Sequence, residues 1–141
     1  MLGSIPHRVR LGALTLSLRL RLDRMLRRHS LPGLLGALTP VTSATPERSS
    51  PQRVPLPTVE DALLAAEKVI EHLRVVPNTC LYRSLARYAV LRSAGHPARF
   101  VMGLSPGAPE ITGHAWVELD GAPMGETVDD DMVITYAYPE A

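Results

Sequence analysis

The residues best suited to covalent chemistry are one cysteine and one histidine. Cys80 is the only cysteine of the chain and stands where a helical pattern begins, and His114 stands in the alternating segment GHAWVEL of residues 113–119. A thiol in the first turn of a helix lies near the positive end of the helix dipole and beside unpaired backbone N–H groups, and both favour the thiolate. The same N–H groups can hold an oxyanion during acyl transfer. A histidine that reaches the thiol could remove its proton and later protonate a leaving amine.

Both residues also have a structural interpretation. A lone cysteine is frequently a small buried apolar residue, and a strand histidine can equally be a hydrogen-bonded part of a core. The catalytic interpretation therefore needs a third residue, a carboxylate that fixes the tautomer of His114. Asp120 is too far away: six residues of strand separate it from His114, about 20 Å at roughly 3.3 Å per residue. Residues 129–131, all aspartates, are a reserve, although a solvated acidic loop is their more ordinary interpretation.

Glu126 is the preferred acid, on a condition set by the hairpin. A two-residue loop at Asp120-Gly121 would pair residue 114 with 127 and send Glu126 to the opposite face of the sheet. A three-residue loop that starts at Leu119 and carries a G1 bulge would pair 114 with 126, so that both side chains share a face. We therefore predict a bulged hairpin.

The elements that must position these residues follow from the spacing of apolar side chains. Residues 7–38 predict a basic amphipathic helix interrupted near Pro32-Gly33, residues 58–76 predict a helix capped by Thr58, and residues 79–94 predict the helix that Cys80 begins. Beyond it the pattern alternates, which predicts antiparallel strands; these are residues 98–104, 113–119, 122–126 and 132–138. Helices followed by such a sheet make an α+β fold, with the cysteine helix packed on the sheet.

Composition divides the chain into three zones. Residues 1–38 form a basic helical extension, residues 39–57 a linker, and residues 58–141 the compact domain. The linker holds five prolines and six serines or threonines with few large apolar groups, a composition that does not bury enough surface to order itself.

Charge is concentrated in the extension. The net charge is only +1, which gives no argument for a nucleic-acid partner, yet seven arginines lie within residues 8–28 against one acid, Asp23. This pattern is typical of a helix that docks on a partner or lies on an anionic membrane surface. The alternative is a helix packed on the domain, with arginines that reach out to water.

The sequence favours the cytoplasm, with membrane association through residues 7–38 as the open variant. One cysteine excludes an intrachain disulfide. The apolar run LGALTLSLRL is interrupted by Arg19 and falls short of the about 20 residues that span a bilayer.

Two segments together resemble a known family. CLYRSLARYAVLRSAGHPARFVMGL and GHAWVELDGAPMGE are similar to the transglutaminase-like cysteine peptidases of lasso-peptide biosynthesis, the stand-alone leader peptidases. The resemblance is strong over residues 77–126 and looser on either side. It implies a transglutaminase-like or papain-like half fold, Cys80 as nucleophile and His114 as general base. Glu126 falls where such enzymes usually carry an aspartate, so the site must accommodate one more methylene.

The resemblance also implies a reaction and partners. The reaction is hydrolysis of one peptide bond in a ribosomally made precursor, which separates leader from core, with no metal or other cofactor. The implied partners are the precursor peptide, a separate leader-recognition protein and a macrolactam-forming cyclase. A short protein with a shallow site offers little room for selecting one bond, so we expect the isolated enzyme to be slow.

Substrate contacts are predicted more weakly. Arg83 and Arg87 share the Cys80 face of the helix and could bias the thiolate or bind an acidic substrate segment; solvated helix arginines are the alternative. Trp116 should share the strand face of His114 and could form a wall of the site, or belong to the core. Two rival functions also remain: an acyltransferase or deamidase that uses the same thioester, and a non-catalytic adaptor.

Overall fold

Four helices precede a four-stranded antiparallel sheet in the computed structural model, which describes residues 6–39, 53–73, 78–106, 112–129 and 131–139. The sheet order is β3-β2-β1-β4, so the predicted α+β class is confirmed. The bounds are α1 His7–Arg28, α2 Leu31–Leu38, α3 Leu56–His72, α4 Cys80–Ser93, β1 Arg99–Ser105, β2 Thr112–Leu119, β3 Ala122–Pro123 and β4 Val133–Tyr138.

Helix α1 packs against α3 and α4 through the apolar stripe of its sequence. Leu11, Leu18 and Leu22 are buried in the main core, whereas Arg21 and Arg24 are exposed. The helix is therefore integrated into the packed body, as the alternative interpretation of this segment expects, and it presents its arginine face to solvent.

The break in the first helical segment does not fall at Pro32-Gly33 as predicted. It falls at His29-Ser30, and Pro32 lies in the first turn of α2. The Ser30 hydroxyl oxygen accepts a hydrogen bond from the Gly33 amide at 3.3 Å. Proline fits the first turn because an amide hydrogen there would have no partner within the helix.

Helix α3 also begins at a proline-containing first turn, two residues before the predicted cap. Thr58 does not cap this helix, which begins at Leu56 after Pro55, with proline again in its first turn. Just before it, Val54 is buried, and its amide donates to the Ala94 carbonyl oxygen at 3.0 Å. The end of the predicted linker is thus packed on the domain, while residues 40–52 lie outside the described parts of the chain.

One face of the sheet packs on the helices. Phe100, Ala115 and Val117 from β1 and β2 are fully or almost fully buried in one cluster with Leu85 and Tyr88 of α4. The cysteine helix therefore packs on the sheet as predicted, against β2 and β1. Burial of this apolar surface supplies the main force that fixes α4 over β2.

Candidate active site

Cys80 is the first residue of α4, and its side chain is half-buried. Thr79 at the N-cap makes no side-chain hydrogen bond to the helix. The first-turn N–H groups beside the thiol therefore have no capping oxygen from the Thr79 side chain, and unpaired groups of this kind can bind an oxyanion.

A buried serine joins the thiol helix to the histidine strand. Ser84, one helical turn after Cys80 and 1% exposed, donates its hydroxyl to the Ala115 carbonyl oxygen at 2.9 Å. Ala115 directly follows His114 in β2. This hydrogen bond joins α4, one turn after Cys80, to the backbone of β2 next to His114.

The short β3 strand makes that contact available. The Met124 amide donates to the Val117 carbonyl oxygen on the β3 side of β2. Backbone groups alternate in direction along a strand, so the Ala115 carbonyl points to the same side. Because β3 does not extend as far as Ala115, the Ala115 carbonyl oxygen has no strand partner on this side, and it accepts the hydrogen bond from the Ser84 hydroxyl.

His114 is joined to Glu126. Its Nε2 lies in hydrogen-bond contact with Oε1 of the carboxylate, and the two side chains are 29% and 28% exposed. A carboxylate only accepts, so Nε2 carries the proton of the neutral ring. Nδ1 then keeps a lone pair for the thiol proton.

Cys80 and His114 are not hydrogen-bonded to each other: among the described residues, the Cys80 sulfur has no hydrogen-bond partner. Catalytic contacts in enzymes without substrate are often long and tighten in the complex. The reacting state requires Sγ to meet Nδ1, the nitrogen that Glu126 leaves unoccupied.

The predicted bulge in the hairpin is wrong. Leu119 pairs with Ala122 and Glu118 with Pro123, so the loop has two residues. Asp120 and Gly121 both have positive φ, 54° and 82°. A two-residue loop of this kind matches the twist of the flanking strands without an extra residue.

Glu126 reaches His114 by another route. The strand that should have run over residues 122–126 ends after Pro123, and Met124 continues the register by one hydrogen bond. Gly125 then has a φ of 76°, a left-handed conformation that glycine adopts without steric cost. The chain leaves the strand conformation there. The alternation of side chains between the two sheet faces therefore does not apply to Glu126, and its carboxylate reaches His114.

Arg87 of α4 completes the surroundings of the carboxylate. Its Nη1 donates to the Met124 carbonyl oxygen at 3.2 Å and lies 3.8 Å from Glu126 Oε2. The arginine side chain is only 18% exposed. The carboxylate therefore lies between an imidazole on one oxygen and a guanidinium near the other.

Trp116 lies behind the imidazole. Its ring stacks on that of His114 at 5.8 Å between centroids and 19° between planes, and Nε1 donates to Glu118 Oε2 at 3.3 Å. The side chain shares the His114 face as predicted, but it is 2% exposed. The predicted substrate contact of Trp116 stays a prediction; in the structure its ring packs on the face of the His114 imidazole.

The Arg83 side chain forms a hydrogen bond with the backbone of the same chain. Its Nη1 donates to the Asn78 carbonyl oxygen at 3.1 Å, just ahead of Cys80, and Arg19 of α1 donates to the Asn78 side chain at 2.5 Å. The predicted substrate contact of Arg83 stays a prediction. The structure places the residue in a network that holds the segment leading into α4.

The reserve acids of residues 129–131 are described only in part. Asp129 and Asp131 are exposed, and the hydrogen bond and ion pair of His114 go to Glu126 instead; Asp130 lies outside the described residues. Within the described part of the chain, no group of three or more histidine, cysteine or acidic side chains could hold a metal ion.

Sequence reasoning missed Ser84, Gly125 and the buried Arg19. A small polar residue four positions after Cys80 and a glycine inside a strand pattern were the available signals for the first two. Arg19 was noted only as an interruption of an apolar run, although a lone charge in a helix stripe can also mark a buried ion pair.

Comparison with known proteins agrees with this geometry. A model of the transglutaminase-like superfamily matches residues 13–136; members of this superfamily are commonly cysteine hydrolases or transferases. No curated protein and no solved structure matched the chain. Among the described residues, none of the helices is long and apolar enough to cross a membrane. Because the match covers most of the sequence and includes Cys80, His114 and Glu126, the chain belongs to the transglutaminase-like superfamily.

Proposed function

We propose that this protein is a cysteine peptidase that removes the leader from a ribosomally made lasso-peptide precursor. The observation that carries the proposal is the carboxylate-bound imidazole of His114 on the strand against which the Cys80 helix packs. These residue types in this order are those of a Cys-His-acid site.

The proposed reaction runs in two halves. Nδ1 of His114 takes the Cys80 proton, and the thiolate attacks the carbonyl carbon of the scissile bond while first-turn N–H groups of α4 bind the oxyanion. The imidazolium gives its proton to the leaving amine, which departs with the core peptide and leaves a thioester of the leader. Water then attacks the thioester, and His114 takes a proton from that water. The leader leaves as a carboxylic acid, and the thiol is restored.

The lasso-precursor substrate is supported by the sequence around the site. The segments that begin at Cys80 and at Gly113 are the two that resemble the lasso leader peptidases. Both His114 and Glu126 keep more than a quarter of their side-chain surface exposed, which suits a shallow site open to an extended peptide. A shallow site gives few contacts for choosing one bond, so the proposal includes a separate protein that binds the leader.

The test is cleavage of the precursor with product masses read by mass spectrometry. With the precursor and its leader-recognition protein, the wild type should release leader and core whose masses sum to precursor plus one water. Cys80→Ala should abolish release, and His114→Ala should lower kcat by about 10²–10⁴-fold, the usual contribution of a positioned base. Rapid cleavage without the recognition protein would contradict the shared-recognition part of the proposal.

Two other results would replace the proposal. A leader joined to an added amine, rather than to water, would assign an acyltransferase, because both reactions share the thioester. A complex that matures the precursor equally well with Cys80→Ala and Glu126→Ala would assign an adaptor.

A further inference from the structure

We infer that Arg87 is a positioning residue that aims the Glu126 carboxylate at His114, so that this chain can use a glutamate as the third residue of its site. The inference rests on the proposed role of His114 and Glu126. It adds a residue from the cysteine helix itself, one turn beyond Ser84.

Arg87 touches the acid segment at two points. Its Nη1 donates to the Met124 carbonyl oxygen at 3.2 Å, and the same nitrogen lies 3.8 Å from Glu126 Oε2. Gly125 stands between these two contacts with a φ of 76°. A β-carbon at Gly125 would lie 3.5 Å from the guanidinium carbon. The segment of residues 124–126 therefore folds closely around the guanidinium group.

Glu126 needs such a contact because the sheet does not fix it. Strand β3 ends at Pro123, so no ladder hydrogen bond fixes the backbone of Glu126. A glutamate also has one more rotatable bond than an aspartate, and holding it in one conformation costs more side-chain entropy. With Oε1 on His114 and Oε2 facing Arg87, the plane of the carboxylate is defined from both sides.

No other charged side chain of the described residues takes this position. The titratable or charged groups in contact with Glu126 are His114 from β2 and Arg87 from α4. Arg92, on the same helix, instead donates to the Ala98 carbonyl oxygen and lies over the Tyr88 ring. It is a matched control, since it is also an α4 arginine that binds a backbone carbonyl.

The test measures how fast iodoacetamide alkylates Cys80, by intact mass, so that no precursor is required. The variants are Arg87→Met, Arg87→Lys, Glu126→Gln, the double variant Arg87→Met/Glu126→Gln, and the control Arg92→Met. Far-UV circular dichroism and thermal unfolding establish that each variant is folded. Precursor cleavage is then assayed on the same samples.

If Arg87 acts through Glu126, Arg87→Met slows alkylation about tenfold, the scale of losing a charge-assisted hydrogen bond to the Met124 carbonyl together with the ion pair to Glu126. Arg87→Lys should alkylate faster than Arg87→Met, because lysine keeps the positive charge but lacks the planar guanidinium that contacts both Met124 and Glu126. Arg87→Met should have little further effect in the Glu126→Gln background, as expected for two residues that act as one unit. Arg92→Met should alkylate like the wild type.

Three results would overturn the inference. One is an equal slowing by Arg87→Met with Glu126 present or replaced, which indicates a direct field on the thiol. The second is a loss of rate in Glu126→Gln with none in Arg87→Met, which leaves the proposed function standing. The third is an alkylation rate that is the same in every variant, which would also contradict the coupling of Glu126 to Cys80. Coupled alkylation without any precursor cleavage would support the Arg87 inference and contradict the peptidase proposal instead.

Discussion

At the scale of single residues, the imidazole of His114 is held on two sides. Glu126 binds its Nε2 edge, and Trp116 stacks on its face. The edge contact decides the tautomer, and the face contact limits rotation of the ring. In the proposed mechanism Nδ1 is then the ring nitrogen that takes the thiol proton.

Glu126→Gln should lower kcat for precursor cleavage about 10²-fold with little change in KM, because the variant still binds substrate but holds the imidazolium less well. Glu126→Asp should also lose activity, since the turn at Gly125 is set for the longer side chain. Steady-state kinetics by mass spectrometry measure both. Asp129→Asn is the matched control, an exposed acid three residues later that should cleave normally; full activity in Glu126→Gln would remove the acid from the mechanism.

At the scale of elements, the hairpin shows what the sequence could and could not predict. Strand β2 and the turn at Asp120-Gly121 follow from alternation and turn chemistry, and helix α4 follows from the helical spacing of its apolar residues. The early end of β3 does not, because alternation predicts strand pairing as far as Glu126. The prediction assumed an intact ladder and needed a bulge to bring Glu126 to His114; a left-handed Gly125 achieves the same contact by ending the ladder.

Two glycines of this hairpin give a paired test. Gly125→Ala and Gly121→Ala each place a β-carbon at positive φ, 76° and 82°, and should each lower the free energy of unfolding by about 1–2 kcal/mol. Neither β-carbon would clash: the nearest atoms lie at van der Waals distance, 3.5 Å, for Gly125, and none lies within 4 Å for Gly121. Urea unfolding measures the cost.

Activity should separate the two variants. Gly125→Ala moves the segment that carries Glu126 and should lose cleavage beyond its stability cost, whereas Gly121→Ala at the hairpin tip should cleave like the wild type. Equal activity of the two folded variants would mean that the turn at Gly125 does not position the acid.

At the scale of the whole molecule, α1 is tied to the site. Arg19 is fully buried, forms an ion pair with Glu67 of α3, and donates to the Asn78 side chain ahead of Cys80. The first helical segment therefore helps to hold the segment that leads into the cysteine helix. Amphipathic periodicity predicted its buried stripe but gave no partner for the arginine, because that partner lies 48 residues away.

Arg19→Met should lower the free energy of unfolding by about 3–5 kcal/mol, because it leaves a partly buried carboxylate without its cation. Arg19→Met/Glu67→Leu should recover much of that loss, since replacing both partners with apolar residues removes the uncompensated charge. Urea unfolding of the two variants tests this. A double variant less stable than Arg19→Met would show that the pair itself is not the source of the loss.

Alkaline pH should also weaken the packing of the helices on the sheet. Burial raises the pKa of the Tyr88 phenol above its usual 10.0; its oxygen is 2.7 Å from the Thr39 hydroxyl. A raised pKa means that the folded state favours the neutral phenol, so this stability is complete below pH 10 and is lost as pH rises through the folded pKa. Thermal unfolding between pH 9 and 11 measures this. The melting temperature should fall less steeply with pH in Tyr88→Phe than in the wild type; an equally steep fall in both would contradict the prediction.

The central claim is that His114 activates Cys80, and the most direct measurement is the alkylation of Cys80 by iodoacetamide at pH 6. The wild type should label rapidly by intact mass, His114→Ala should label much more slowly, and His72→Ala, which removes an exposed histidine at the end of α3, should match the wild type. A Cys80 that labels only after unfolding, or equally fast without His114, would contradict a catalytic site here.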